Sequence, residues 1–270
     1  MDYLLNVAPK AADGTISTRE SEVQLWSDFV FMAPPFIAYY GALEGGSNGA
    51  TLLQTAYDQV RLYRAVLFDQ GVGLWRHIAL GSWSDPTHWA TGNAWAAAGV
   101  LRVLATIKHS PEAGSMQSQQ NDLAQWAGET LTGVWKYQVR DLLFRHCLPT
   151  CLSFFHAFLN TNATVQQANG TLLNYLDQPN SFADSSSTAL LAAATFRYAS
   201  ITGDNSHIPA AIKALQLVQD SVSGTGYLLN TVNPETFSTP SGPGQYSPEG
   251  QSFVLLLEAA VSAWKSQNHQ

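Results

Sequence analysis

The sequence predicts an all-α fold of helical hairpins packed side by side, as a ring or a solenoid. Three observations carry this. Apolar residues recur at helical spacing in one long segment after another. Those segments follow at intervals of roughly 25–40 residues, the rhythm of stacked helix pairs. Strand-like alternation is weak, and the connecting loops are rich in Gly, Ser, Asp and Pro.

Taken in order, a short opening helix, Asp2–Val7, precedes the Asp13-Gly14 turn. Ser47–Phe68 carries a stripe of Leu52, Leu53, Ala56, Tyr57, Val60, Leu62, Tyr63, Val66 and Leu67. Trp95–His109 repeats the pattern with Ala98, Val100, Leu101, Leu104, Ala105 and Ile107. Asn121–Tyr137, Ser187–Ser200, Ile208–Val222 and Pro248–Ser266 follow. Gly73–His77 and Thr225–Leu229 read as short extended pieces within loops. Strict repeats are absent. The 139–159 segment, dense in aromatics and interrupted by Pro149, reads as part of an insertion (139–170) between two frame helices.

Composition narrows the function classes. A chain of 270 residues, 46% hydrophobic, supports one sizeable core, so a single domain is expected over 1–270. A net charge of −7 with 13 Lys plus Arg argues against nucleic acid or an anionic membrane as partner. No apolar run approaches the length of a membrane span, and no basic region followed by an apolar core marks a secretory signal after Met1. Eight Trp, ten Tyr and twelve Phe suit stacking on sugar rings, and suit an ordinary core equally well.

Cys147 and Cys151 lie as C-x3-C, which neither implies a disulfide nor supplies enough ligands for a metal. The seven His show no metal-ligand pattern, so no metal or cofactor is expected. Asn162 and Asn169 begin glycosylation sequons.

The run Gln24–Phe36 holds one carboxylate, Asp28, among apolar and aromatic residues. Apolar walls raise a carboxyl pKa toward the range useful for proton transfer. An N-cap or a satisfied structural Asp is the alternative on local grounds.

Three segments together resemble glycoside hydrolase family 105, the unsaturated rhamnogalacturonyl and glucuronyl hydrolases, related to family 88. Gln24–Met32 with Pro35-Phe36 is similar to W-x-D-x-x-[YF]-M-x-x-P-F; Gly73–His77 resembles G-L-Y-Y-H; His88–Ala96 resembles F-W-G-R-x-x-G-W. Ser247–Gln251 fits as well.

The resemblance implies an (α/α)6 toroid with its active site at one end of the ring. It also implies an acid/base Asp that hydrates the vinyl ether of a 4,5-unsaturated uronic acid on lyase-generated, pectin-type oligosaccharides. Carried over, Asp28 is the acid/base and His77 contacts the sugar; Trp89 and Trp95 supply stacking walls, and Trp26 is a further substrate-binding candidate. His88 and Asn93 are hydrogen-bonding candidates. Core packing is the alternative for Trp89 and Trp95, and a plain loop histidine for His77 and His88.

Thr91 stands where the family pattern has an Arg, with Arg76 as a replacement cation. The upstream His-Lys pair falls on Ser17-Thr18. Family members place further helices and a second Asp ahead of this point, so the ring is expected to be incomplete at its N-terminus. Uncovered helix faces would then favour a homo-oligomer.

Two competing readings remain from the sequence. One is an inactive or sugar-binding relative of such an enzyme. The other is a toroid glycosidase acting on saturated sugars through two of Asp85, Asp184 and Glu249, which lack the aromatic setting of Asp28.

Overall fold

In the computed structural model the described residues are 1–138 and 170–268. The expectations for the insertion, for Cys147 and Cys151, and for the sequons at Asn162 and Asn169 lie outside them.

A short π-helical turn, Tyr3–Val7, opens the chain. Strand β1 (Gln24–Trp26) leads into helix α1 (Phe29–Glu44), followed by α2 (Gly46–Leu67). Strands β2 (Phe68–Asp69), β3 (Leu74–Trp75) and β4 (Ile78–Leu80) come next, then α3 (Ala90–His109) and α4 (Gln117–Trp135). Strands β5 (Leu172–Leu173) and β6 (Ala183–Asp184) precede α5 (Ser185–Thr202), α6 (Ile208–Asp220) and α7 (Pro248–Gln267). The strands are two or three residues long and form two-stranded antiparallel ribbons within loops.

The helices make two layers. α1, α3, α5 and α7 pack successively against one another, while α2, α4 and α6 each pack behind the helix that precedes them. Burial follows this division. α3 and α5 bury most of their residues, whereas α6 buries one stripe, Ile208, Ala211, Ala214, Leu217 and Val218. Trp75, Tyr63, Phe196 and Phe253 are the largest side chains closed off from solvent. α1 presents Met32, Phe36, Tyr39, Tyr40 and Leu43 to solvent. No described helix is long and apolar enough to cross a membrane.

Each helix read from periodicity is present, with ends shifted by a few residues; α3 starts at Ala90, a turn ahead of Trp95. Among the described residues, α1 is the one long helix that periodicity did not reveal. It is apolar nearly all round and contains Pro34 and Pro35, so it shows neither a stripe nor an unbroken helical run. Proline has no N–H, so Pro34 leaves the Val30 carbonyl without its helical donor. That carbonyl lies against Gly99 of α3, where an added Cβ would stand 2.2 Å from the oxygen. A residue without a side chain thus lets the two inner helices cross closely.

Candidate active site

Strand pairing brings the conspicuous residues together. β1 and β4 pair with Trp26 opposite Ile78, and the Ser27 amide donates to the His77 carbonyl at 2.9 Å. Since α1 starts just after β1, Asp28 is set beside His77 at the first turn of α1.

Asp28 occupies the N-cap position, but with helical dihedrals (φ −57°, ψ −37°) and no capping hydrogen bond from its side chain. Its Oδ2 instead faces His77 Nε2 at 3.7 Å and accepts from Ser27 Oγ at 3.3 Å. Burial pushes its carboxyl above the usual range; the nearby His77, its own backbone amide and Ser27 act the other way and only partly offset it. Asp28 therefore keeps its proton to higher pH than an ordinary aspartate.

His77 is buried, its ring held by three aromatics. Ring centroids lie 5.5 Å from Trp26, 4.5 Å from Trp89 and 4.8 Å from Phe237. Its Nδ1 stands 2.9 Å from Asp85 Oδ2. Burial works against ionisation of Asp85, yet hydrogen bonds from His77 and Thr87 prevail and bring its pKa down to about 2. An ionised carboxylate only accepts, so Nδ1 carries the proton and Nε2 is directed at Asp28. His77 Nε2 is buried and has no hydrogen-bond partner among the described residues.

Trp26 donates through Nε1 to Gln24 Oε1 at 2.8 Å and meets Trp83 edge-on. Trp89 donates through Nε1 to Asn174 Oδ1 at 2.9 Å, and Asn174 Nδ2 donates to the Phe237 carbonyl at 3.0 Å. One asparagine therefore ties two of the aromatic walls together. Trp95 packs against Phe31 and Phe253, with centroids at 4.4 and 4.8 Å, in the core-like setting named as its alternative.

Arg76 and His88 belong to a second cluster. Arg76 pairs with Asp69; His88 Nδ1 lies 2.7 Å from Asp177 Oδ2, and its Nε2 lies 3.9 Å from Asp69. Arg76, the candidate replacement for the missing Arg, has its guanidinium paired with the Asp69 carboxylate. The expectation for Asn93 is corrected. Fully buried, it accepts from the Trp75 amide at 2.8 Å and donates to the Trp75 and Trp89 carbonyls at 2.9 Å each. Both of its N–H groups are occupied by backbone, so it braces the site and has no donor left for a sugar hydroxyl.

The reading with two carboxylates across one bond also meets a correction. Asp184, fully buried, caps α5 through the Ser186 and Ser187 amides, and also accepts from Ser186 Oγ and the Val232 amide. Thr91 adds a long hydrogen bond at 3.3 Å. Those donors saturate the Asp184 carboxylate, and Asp85 is engaged with His77. Glu249 in the first turn of α7 is raised, by desolvation and by the charges of Asp28 and Asp184. Its electrostatic link to both places the start of α7 at the same end as α1 and α5. At the start of α5 the Ser186 and Ser187 amides are taken by Asp184, and at the start of α7 the Gly250 amide is taken by Ser247.

Phe237, Asn174 and Asp177 escaped the sequence reading. They lie in loops without periodicity, and Phe237 adopts a left-handed φ of 47° that nothing in its neighbours announces. The Asn233-Pro234 turn ahead of it is the one local signal.

A model described as Glycosyl Hydrolase Family 88 matches residues 1–150. No curated protein sequence gives a significant match. Among solved structures, a possible member of the GH105 family from Salmonella enterica serovar Paratyphi A superposes with TM-score 0.74 at 19% identity, over 100% of this chain and 64% of its own. A possible GH105 member from Klebsiella pneumoniae gives TM-score 0.75 at 18% identity, over 98% and 64%. The unsaturated glucuronyl hydrolase of Bacillus sp. GL1, responsible for degradation of glycosaminoglycan, gives 0.57 at 16%, over 94% and 60%. The chain thus spans 64% of the length of the first two. These likenesses establish the helical-toroid fold.

Proposed function

The chain belongs to Glycosyl Hydrolase Family 88, and from that premise we propose that it hydrolyses oligosaccharides ending in a 4,5-unsaturated uronic acid, of the pectin type left by polysaccharide lyases. The observation that carries the reading is Asp28: a carboxyl raised by burial, facing an imidazole nitrogen at 3.7 Å within aromatic walls.

The chemistry asks for one proton donor. Protonated Asp28 delivers its proton to C4 of the vinyl ether, and positive charge develops at C5 and the ring oxygen. The resulting carboxylate takes a proton from water as that water adds to C5. The hemiketal so formed opens, and the bond at C1 breaks to release the remaining sugar as an alcohol. The proton count closes on one residue. A conventional glycosidase would need two free carboxylates across the scissile bond, and Asp85 and Asp184 are both engaged.

Trp26 and Trp89 offer ring faces to the apolar side of the sugar, with His77 between them and Asp28. Thr91 supplies no cation for the uronate, and Arg76 is paired with Asp69. The exposed stripe Met32, Phe36, Tyr40 and Leu43 supports contact with a second copy, which sedimentation at increasing concentration tests.

The test of function is direct. Lyase-generated unsaturated disaccharides lose the ultraviolet absorbance of their C4–C5 double bond, while saturated uronides are left intact. Saccharide binding without loss of absorbance would favour the sugar-binding reading instead.

A further inference from the structure

We propose that Asp85 is a positioning residue for the Asp28–His77 pair, fixing which imidazole nitrogen carries the proton and setting how firmly the pair as a whole holds protons. The proposal rests on the reading of Asp28 as acid and base.

Asp85 divides its two oxygens between separate tasks. Oδ1 accepts from the Thr87 amide at 3.0 Å and the Thr87 hydroxyl at 2.7 Å, closing a tight turn. Oδ2 accepts from His77 Nδ1 at 2.9 Å. A residue needed only to make the turn would require the first set alone. The backbone clamps the same place: Asp85 exchanges hydrogen bonds with Ile78 in both directions, and the His77 amide donates to the Thr87 carbonyl at 2.9 Å. Ring and backbone of His77 are thus held by one short loop. Trp26, Trp89 and Phe237 block rotation of the imidazole, so its unpartnered Nε2 stays aimed at Asp28.

With Nδ1–H given to Asp85, neutral His77 presents a lone pair to Asp28, and a protonated Asp28 shares its proton across that gap as substrate closes the site. When His77 takes the proton, the imidazolium lies between two carboxylates. The other titratable groups at this end are Tyr63 of α2, electrostatically linked to Asp28, and Tyr175 before β6, linked to Asp85. Glu249 of α7 and Asp184 at α5 complete the set. Asp85 is the one in hydrogen-bond contact with His77. Removing its charge weakens proton binding throughout the pair, so both of the pair's titration steps move to lower pH.

The experiment compares wild type with Asp85→Asn and Asp85→Glu by two readouts. The first is the pH profile of kcat/KM on an unsaturated disaccharide; the second is the imidazole 15N titration of His77 by NMR, which needs no substrate. In Asp85→Asn we expect both limbs of the profile and the imidazole titration to shift acidward, with kcat falling roughly tenfold or more. Asp85→Glu, which keeps the charge, is expected to restore the position of the limbs. Loss of thermal stability with an unmoved profile and titration would reduce Asp85 to a turn former and overturn the proposal. Should Asp85→Asn fail to fold, Thr87→Val, which removes the hydroxyl donor to Oδ1 but keeps the residue-87 amide and the charge, is expected to lower kcat while the limbs stay in place; a wild-type rate would overturn it. A wild type that leaves unsaturated sugars intact removes the functional reading, and the NMR titration then decides the proposal alone.

Discussion

The Nε2 of His77 faces the Oδ2 of Asp28 at 3.7 Å, while the Nδ1 of the same ring is held by Asp85 at 2.9 Å. The imidazole therefore reads as a fixed bridge between two carboxylates of opposite character, one raised and one held near 2. This asymmetry has consequences for stability as well as for chemistry.

Because the folded-state pKa of Asp28 lies above its unfolded value, folding favours the protonated form. Its contribution is fully present below the unfolded pKa of about 3.9 and is lost as pH rises through the raised folded value. Asp28→Asn mimics the neutral carboxyl at every pH. Its thermal midpoint is therefore expected to match wild type in acid and to exceed it at pH 7. A variant less stable than wild type at pH 7 would contradict the sign.

Gly99 tests the helix crossing. Gly99→Ala drives a methyl against the Val30 carbonyl, 2.2 Å away in the present geometry, and is expected to cost about 1–3 kcal/mol as the helices part. Gly114→Ala points into open space and is expected to be neutral within about 0.5 kcal/mol. Urea unfolding of the two variants measures both.

Asn93→Ala removes the acceptor of the Trp75 amide and the side-chain donor to the Trp75 carbonyl in the interior, while the Trp89 carbonyl keeps the residue-93 amide; the expected cost is about 2 kcal/mol or more. If its thermal midpoint stays at the wild-type value while KM rises, Asn93 is a sugar contact after all.

Asp184→Ala strips the amides of Ser186, Ser187 and Val232 of their acceptor. The expected loss is about 3 kcal/mol or more. Ser247→Ala removes a cap with one amide partner and is expected to cost about 1 kcal/mol. Equal losses in chemical denaturation would contradict the interior role of Asp184.

The helices were legible because a stripe such as Leu52, Leu53, Ala56, Tyr57 and Val60 leaves its period in the sequence whatever it packs against. α1 was not, because a helix apolar nearly all round has no period, and Pro34 with Pro35 disguised it. At the site, Asp28, His77 and Trp89 stood out as rare residue types in motif order, and strand pairing and ring contacts join them. Asn93 and Arg76 sat in the same motifs yet proved to be occupied by backbone and by Asp69. Hydrogen-bond saturation depends on partners distant along the chain, so motif order does not reveal it. Phe237 and Asn174 reach the site from later loops through backbone turns with no repeating pattern.

The most direct test follows the C4–C5 ultraviolet absorbance of an unsaturated disaccharide with wild type and Asp28→Asn at equal concentration. The account predicts steady loss of absorbance with wild type and a rate lower by roughly a hundredfold or more for Asp28→Asn. Equal rates for the two proteins would contradict the assignment of Asp28 as the acid and base.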